Sequence, residues 1–129
     1  HTGDASICFD GIDHGAVNRS KTYKPGQYAA YCFTSIPPEQ RYNGTVEIAL
    51  IPKNKHGANL FKGKLSTKIS PTVSGTNWQP MVVSGRVPAV IDQHEVDSIA
   101  LFVIVDGLRK KEKIYIDDLK LFQLNSNAE

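Results

Sequence analysis

The sequence predicts an all-β protein, a two-sheet antiparallel β-sandwich of the jelly-roll type. About eight segments alternate apolar and polar residues with a period of two, and Gly, Pro, Asn or Asp stands at the turns between them. No segment shows the 3.6-residue period of an amphipathic helix. The chain of 129 residues is long enough to bury its own core, so residues 1–129 are expected to form one domain.

The predicted strands follow one another along the whole chain. They are residues 5–9, 16–22, 28–34, 45–51, 64–70, 78–87, 98–105 and 113–121. The fourth strand is expected to end at Pro52, because proline cannot donate to a sheet ladder. A bulge is expected at Ser84 and Gly85. Residues 98–105 form the most apolar strand, which is predicted to be central in its sheet and to form a hairpin with residues 113–121.

Two adjacent carboxylates, Asp117 and Asp118, interrupt the last predicted strand. Asp disfavours strands and the pair repels itself, so a cation, backbone donors or a bulge must compensate. Successive strand residues point to opposite faces, so only one of the two reaches a given ion. Asp118 is expected to face inward, toward calcium or backbone donors, and Asp117 to face solvent or a loop. Asp4 is a candidate further ligand, and backbone and Lys partners without any metal are the alternative.

Composition and charge exclude several function classes. The formal net charge is +2 and the basic residues fall in predicted loops, which argues against nucleic-acid binding. No apolar run approaches the roughly 20 residues of a membrane span, so no membrane segment is expected. The chain begins at a histidine rather than methionine, and it is therefore interpreted as a fragment of a larger protein.

Enzyme signatures are absent from the sequence. It contains no GxSxG motif, no glycine-rich phosphate loop and no zinc-binding spacing, and its four histidines lie in predicted loops or at the terminus. The protein is therefore expected not to be an enzyme. The two cysteines, Cys8 and Cys32, lie in predicted strands, and either a disulfide or small buried thiols fit that placement.

Strand alternation separates candidate binding residues from the core. In residues 28–34, Tyr31 and Phe33 lie on the face opposite Tyr28; Glu47 and Phe102 occupy the second faces of their own strands. If these faces form one surface, it suits a glycan, because rings stack on sugar C–H faces and a carboxylate accepts sugar hydroxyls. The alternative is that loops or the other sheet cover these rings. Trp78 is either a further platform or an anchor at the edge of the core.

Four motifs in order resemble the jelly-roll carbohydrate-binding modules grouped as families four, nine and twenty-two. They are KPGQYAAY at 24–31, VEIAL at 46–50, NWQPMVVSG at 77–85 and IYIDDLKL at 114–121. The resemblance covers roughly residues 5 to 124, and the closing motif is the most specific of the four. Two features depart from these families: the chain lacks their opening "Asn-Gly-Asp-Phe-Glu" strand, and Trp78 falls at their structural tryptophan rather than at a binding position.

The resemblance implies a noncatalytic module that binds a polysaccharide or oligosaccharide, with a structural Ca2+ to which an Asp of the closing motif contributes. It implies a linked catalytic domain, a secreted glycoside hydrolase or polysaccharide lyase, and hence a secreted or cell-surface location. The expected state is a monomer. Binding would rest on Tyr31, Phe33 or Phe102, stacked on sugar rings, or on loop residues. The alternative function is a structural β-sandwich that packs against a neighbouring domain without binding glycans.

Overall fold

The chain folds into two four-stranded antiparallel sheets packed face to face. The computed structural model describes residues 6–10, 14–24, 26–37, 44–71 and 78–124. The strands are β1 (Ser6–Asp10), β2 (His14–Thr22), β3 (Gly26–Ser35), β4 (Thr45–Lys53), β5 (Leu65–Ile69), β6 (Gln79–Val87), β7 (Val90–Ile91), β8 (His94–Glu95), β9 (Ser98–Asp106) and β10 (Lys113–Leu124). The first sheet has the order β1-β10-β3-β6 and the second β2-β9-β4-β5, while β7 and β8 form a small hairpin. The predicted sandwich is confirmed.

The core lies between the inner faces of the two sheets. Tyr28, Ile48, Leu101 and Ile114 are among its fully buried side chains, and they come from β3, β4, β9 and β10. Their neighbours in each strand point outward, as the two-residue period requires. The predicted central position of the 98–105 strand is confirmed, since β9 lies between β2 and β4.

Strand β4 continues through Pro52 to Lys53, although the proline predicts that it ends there. Pro52 pairs with Ile99 of β9, and its carbonyl accepts the Leu60 N–H at 2.8 Å on the other side of the strand. The N and C=O of one strand residue point the same way, so the missing N–H of Pro52 faces the loop and not β9. The ladder therefore loses no hydrogen bond.

The predicted hairpin between the last two long strands is wrong. Strand β9 belongs to the second sheet and β10 to the first, so residues 107–112 cross from one sheet to the other. Gly107 starts this crossing with φ 87°, and a Cβ there would lie 2.8 Å from the Gly44 Cα. Leu108 anchors the crossing in the core with 3% exposure. The turn residues in a sequence mark where a strand ends, but they do not show which sheet the next strand joins.

The bulge also lies elsewhere than predicted. The pairing of β3 with β6 runs without a shift past Ser84 and Gly85. Instead, β10 holds two residues, Asp118 and Leu119, where β3 holds one, between the pairs Asp117–Phe33 and Lys120–Tyr31. Asp118 has φ 53°, the left-handed conformation of an extra residue in a bulge. The extra residue turns Leu119 and Leu121 toward the core.

Tyr28 fixes the turn between β2 and β3. Its hydroxyl donates to the Lys24 carbonyl at 2.7 Å and accepts from the Lys24 N–H at 2.8 Å. The neighbouring Tyr23 stacks on it at 6.0 Å and donates its own hydroxyl to the Val87 carbonyl at 2.7 Å. A buried tyrosine thus satisfies its polar end on backbone groups.

The helical content of the described residues is one 3-10 turn, Phe61–Gly63. No helix in that part of the chain has the length and apolar character needed to cross a membrane.

Candidate functional site

The outer face of the first sheet carries two aromatic residues that the sequence singles out. Tyr31 and Phe33 alternate along β3 with Ala30 and Cys32, which point into the core. The two rings are partly buried and meet edge to face, with centroids 5.9 Å apart. Residues two apart on a strand share a face, and these two therefore belong to one surface.

A third ring, Phe122 of β10, joins this surface. Its plane is inclined by 16° to that of Tyr31, the centroids are 5.7 Å apart, and Phe122 is 43% exposed. We call Tyr31 and Phe122 the two-ring platform. Strict alternation counted from Ile114 places Phe122 on the inward face, so the sequence does not mark it as a binding residue. The extra residue at Asp118 shifts the alternation by one position, and Phe122 therefore faces outward.

Small and polar residues surround the two-ring platform. Tyr31 pairs with Lys120 on one side and Val82 on the other. In the next row, Ala29 separates Phe122 from Ser84, which leaves room beside the Phe122 ring. Exposed polar side chains beside it on this face include Gln27, Ser84, Arg86 and Lys120. The surface thus combines ring faces with hydrogen-bonding groups at its margin.

The other predicted binding residues lie on the opposite side of the molecule. Glu47 of β4 and Phe102 of β9 belong to the outer face of the second sheet, so the expectation of one shared surface is wrong. The Lys53 ammonium lies 5.7 Å from the centroid of the Phe102 ring. Glu47 forms an ion pair with Lys64 at 3.0 Å, and its side chain is 13% exposed. Glu47 is therefore already engaged by a cation.

Trp78 lies just before β6, at the Phe33 end of the first sheet. It is partly buried and stands two residues before Pro80, which pairs with Phe33. It is thus not part of the two-ring platform. Its placement at the end of the sheet fits an anchor at the edge of the core.

The burial of the two carboxylates of β10 is the reverse of the prediction. Asp117 is 1% exposed, and its Oδ1 accepts the Asp118 N–H at 2.9 Å. Asp118, expected inward, is the partly exposed bulge residue, because the bulge takes it out of the alternation. Asp117 keeps its regular position opposite Phe33, on the outer side of the first sheet, and is nevertheless buried there.

The two carboxylates alone would not complete a calcium site. Oxygen donors suit Ca2+, which takes about six to eight of them. Within the described ranges, no group of three or more His, Cys, Asp or Glu side chains could hold a metal ion. Asp4, the third predicted ligand, lies outside the described residues. The donor chemistry at Asp117 fits calcium, and further ligands would have to be carbonyls, waters or Asp4.

The two cysteines are both free thiols. Cys8 of β1 and Cys32 of β3 are separated by β10 and are offset along the strands, since Cys8 stands across from Ser35; two strand spacings alone separate them by about 10 Å. Cys8 is exposed and Cys32 is buried. A disulfide needs Cα atoms within about 7 Å, so the structure decides in favour of the thiol alternative.

Thiol titration is expected to distinguish the two cysteines. Burial raises the pKa of Cys32 to about 12, so its reactive thiolate does not form near neutral pH. One thiol per chain should react with an aromatic disulfide reagent at pH 8 in the native protein, and two in denaturant. Cys8→Ser should leave no fast-reacting thiol. Fast reaction of both thiols in the native protein would contradict the burial of Cys32.

The raised pKa of Cys32 also implies a pH dependence of stability. The folded state favours the neutral thiol, so this contribution is complete below the unfolded pKa of roughly 8.5. It is lost as the pH rises from there toward about 12.

Solved structures share this architecture, although no family model and no curated protein matches the sequence. A family 16 carbohydrate-binding module superposes with a TM-score of 0.64 at 12% identity, over 92% of this chain and 76% of its own. A family 61 module in complex with β-1,4-galactotriose gives 0.57 at 21% identity, over 96% and 74%. An arabinose-bound α-L-arabinofuranosidase gives 0.57 at 21% identity, over 91% of this chain and 19% of the enzyme. The chain therefore has the β-sandwich fold of the carbohydrate-binding modules.

Proposed function

We propose that this chain is a noncatalytic module that binds a polysaccharide on the outer face of the first sheet. The observation that carries the proposal is the near-parallel pair of rings, Tyr31 and Phe122, at the protein surface. Sugar rings expose C–H faces that pack against such rings, and burying this area from water favours binding. Lys120 and Ser84 stand beside the rings, where sugar hydroxyls would need partners.

The wider setting proposed is a secreted or cell-surface enzyme that acts on the same glycan. A sandwich of this architecture makes up part of the α-L-arabinofuranosidase, which supports a linked catalytic domain. In that setting, the module holds its enzyme near the polysaccharide, and a monomer is sufficient for this role.

Affinity electrophoresis on a glycan panel tests the site. Tyr31→Ala and Phe122→Ala are each expected to lower the affinity measured from retardation by about ten-fold, because each removes a stacking ring. Phe102→Ala is the matched control, since it removes a ring from the outer face of the other sheet. If Phe102→Ala is no longer retarded while Tyr31→Ala is retarded like the original protein, the site lies on the second sheet. Retardation by no glycan would exclude the proposed function.

A structural role against a neighbouring domain is the second candidate, and the same face favours it. Val82, Phe122 and Leu124 are 56%, 43% and 45% exposed, which is a large apolar area for an isolated domain. Under this alternative, the isolated domain binds no glycan and self-associates at high concentration. Analytical ultracentrifugation separates the two: a soluble monomer that binds glycan excludes the structural role.

We further propose a structural Ca2+ at Asp117, the buried carboxylate of β10. Its binding would stabilise the junction of β10 with β1 and β3, because a ligand that binds only the folded state raises its stability. The melting temperature is expected to fall on adding a chelator and to recover with excess Ca2+. Asp117→Asn should melt at the same temperature with and without chelator. An unchanged melting temperature of the original protein in chelator would exclude the site.

A further inference from the structure

A groove at one end of the sandwich contains a second exposed aromatic ring. Phe61, in the 3-10 turn, is 63% exposed, and nearby Val90 is 55% exposed. Phe61, Ile91 and His94 help line a cavity of about 230 Å³. His94 also lines an adjacent cavity of about 490 Å³. We call the two together the tip groove.

The larger cavity of the tip groove is lined mainly by polar side chains. They include Asn54, His56, Gln93, His94, Glu95 and Asp97. Amides, imidazoles and carboxylates can each donate to or accept from hydroxyl groups. Lys55 adds a positive charge to the negative charges of Glu95 and Asp97. The lining therefore carries both signs and does not select for a strongly charged ligand.

The backbone on both sides of the tip groove is held by hydrogen bonds. Asn54 Oδ1 accepts the N–H groups of His56 at 2.9 Å and Ala58 at 3.0 Å. The Asp97 N–H donates to the Lys53 carbonyl at 2.8 Å, which joins the residue before β9 to the end of β4. These bonds fix the two walls of the larger cavity relative to each other, so its shape is largely formed before a ligand binds.

The wall that carries Phe61 is fixed in the same way. Asp92 and Gln93 have φ values of 51° and 68°, which close the β7–β8 hairpin in a tight turn. Lys62 forms an ion pair with Asp92 at 3.2 Å, and Gly63 packs closely against Ile91. The aromatic ring is therefore presented on a short, braced turn beside the polar cavity.

We propose that the tip groove is a second glycan site, separate from the two-ring platform. Phe61 stacks on one sugar residue. His56, His94 and Glu95 form hydrogen bonds with the hydroxyls of the next sugar residue, in the larger cavity. The ligand class rests on the proposed function, but the site itself rests on its own ring and cavities. Two sites on different surfaces would let one module hold two chains and gain avidity on an insoluble glycan.

Amide chemical shifts during titration with cellohexaose, xylohexaose and β-1,4-galactotriose test the proposal. We expect the signals of residues 54–62 and 93–97 to move with at least one of these sugars. Phe61→Ala and His94→Ala should each weaken that binding about five- to ten-fold. Both side chains are exposed, so neither substitution removes core packing. Tyr31→Ala should leave these movements unchanged.

The outcomes separate this proposal from the proposed function. Movement confined to signals around the two-ring platform overturns the second site and supports the first. Movement at the tip groove without any at the platform supports the second site and overturns the first. Tip signals that move with unchanged affinity in both Phe61→Ala and His94→Ala overturn the assigned residues. Unchanged chemical shifts at both surfaces with all three sugars count against both proposals.

Discussion

Insertion of one alanine between Leu119 and Lys120 is expected to destabilise the domain by about 2–5 kcal/mol. The bulge already places two residues of β10 opposite one residue of β3. If the rest of the strand slips by one position, Leu121 turns outward while Lys120 and Phe122 turn into the core. If the bulge takes in the added residue instead, Leu119 loses its place in the core. Either outcome removes a Leu from the core, and a buried Lys adds a further cost.

Deletion of Asp118 is the control for this insertion. It removes the extra residue of the bulge, so Leu119 would lie opposite Cys32 and every later side chain would keep its face. The deletion variant should therefore stay folded. Circular dichroism and denaturant unfolding would measure both variants. An insertion variant that unfolds at the same denaturant concentration as the original protein would show that the assigned register is wrong.

Gly107→Ala is expected to produce the next largest loss of stability, about 2–4 kcal/mol. Two costs add at this position. The φ of 87° disfavours any residue with a Cβ, and the new Cβ would lie 2.8 Å from the Gly44 Cα. Because Gly44 belongs to the backbone and has no side chain to move, the crossing between the sheets would have to shift as a unit.

Gly57→Ala separates the two costs. Gly57 has a similar φ of 81°, but nothing lies within 4 Å of its added Cβ. Its substitution should therefore cost only about 1–2 kcal/mol, the backbone term alone. Urea unfolding of the two variants gives the comparison. Equal losses in both would mean that the contact with Gly44 contributes nothing.

The fold was predictable because every long strand carries a two-residue alternation that one buried face explains. Tyr28 and Ile48 illustrate this: each lies on the face of its strand that alternation marks as core, and each is fully buried. The bulge in β10 also left a signal. Ile116 and Leu119 are both buried although they are three residues apart, an odd spacing that requires one extra residue between them.

The candidate site was less predictable because alternation assigns a face but not a sheet. Tyr31 and Phe102 each lie on an outer face as expected, yet on opposite sides of the sandwich. Which sheet a strand joins depends on pairings between residues far apart in sequence, and a local pattern does not contain them. The sequence pattern does not mark Phe61 for a related reason: a loop position alone does not show which other loops lie beside it.

The place of β10 has a consequence for how the molecule is made. Among the described strands, β10 is the last to be synthesised, yet it lies between β1, the first of them, and β3. The second sheet can assemble as soon as β9 emerges, whereas β1 has no strand to pair with until β10 emerges. Such long-range pairing slows folding and leaves nascent strand edges exposed. The growing chain would thus pass through a state in which only the second sheet is complete, before β10 closes the first sheet.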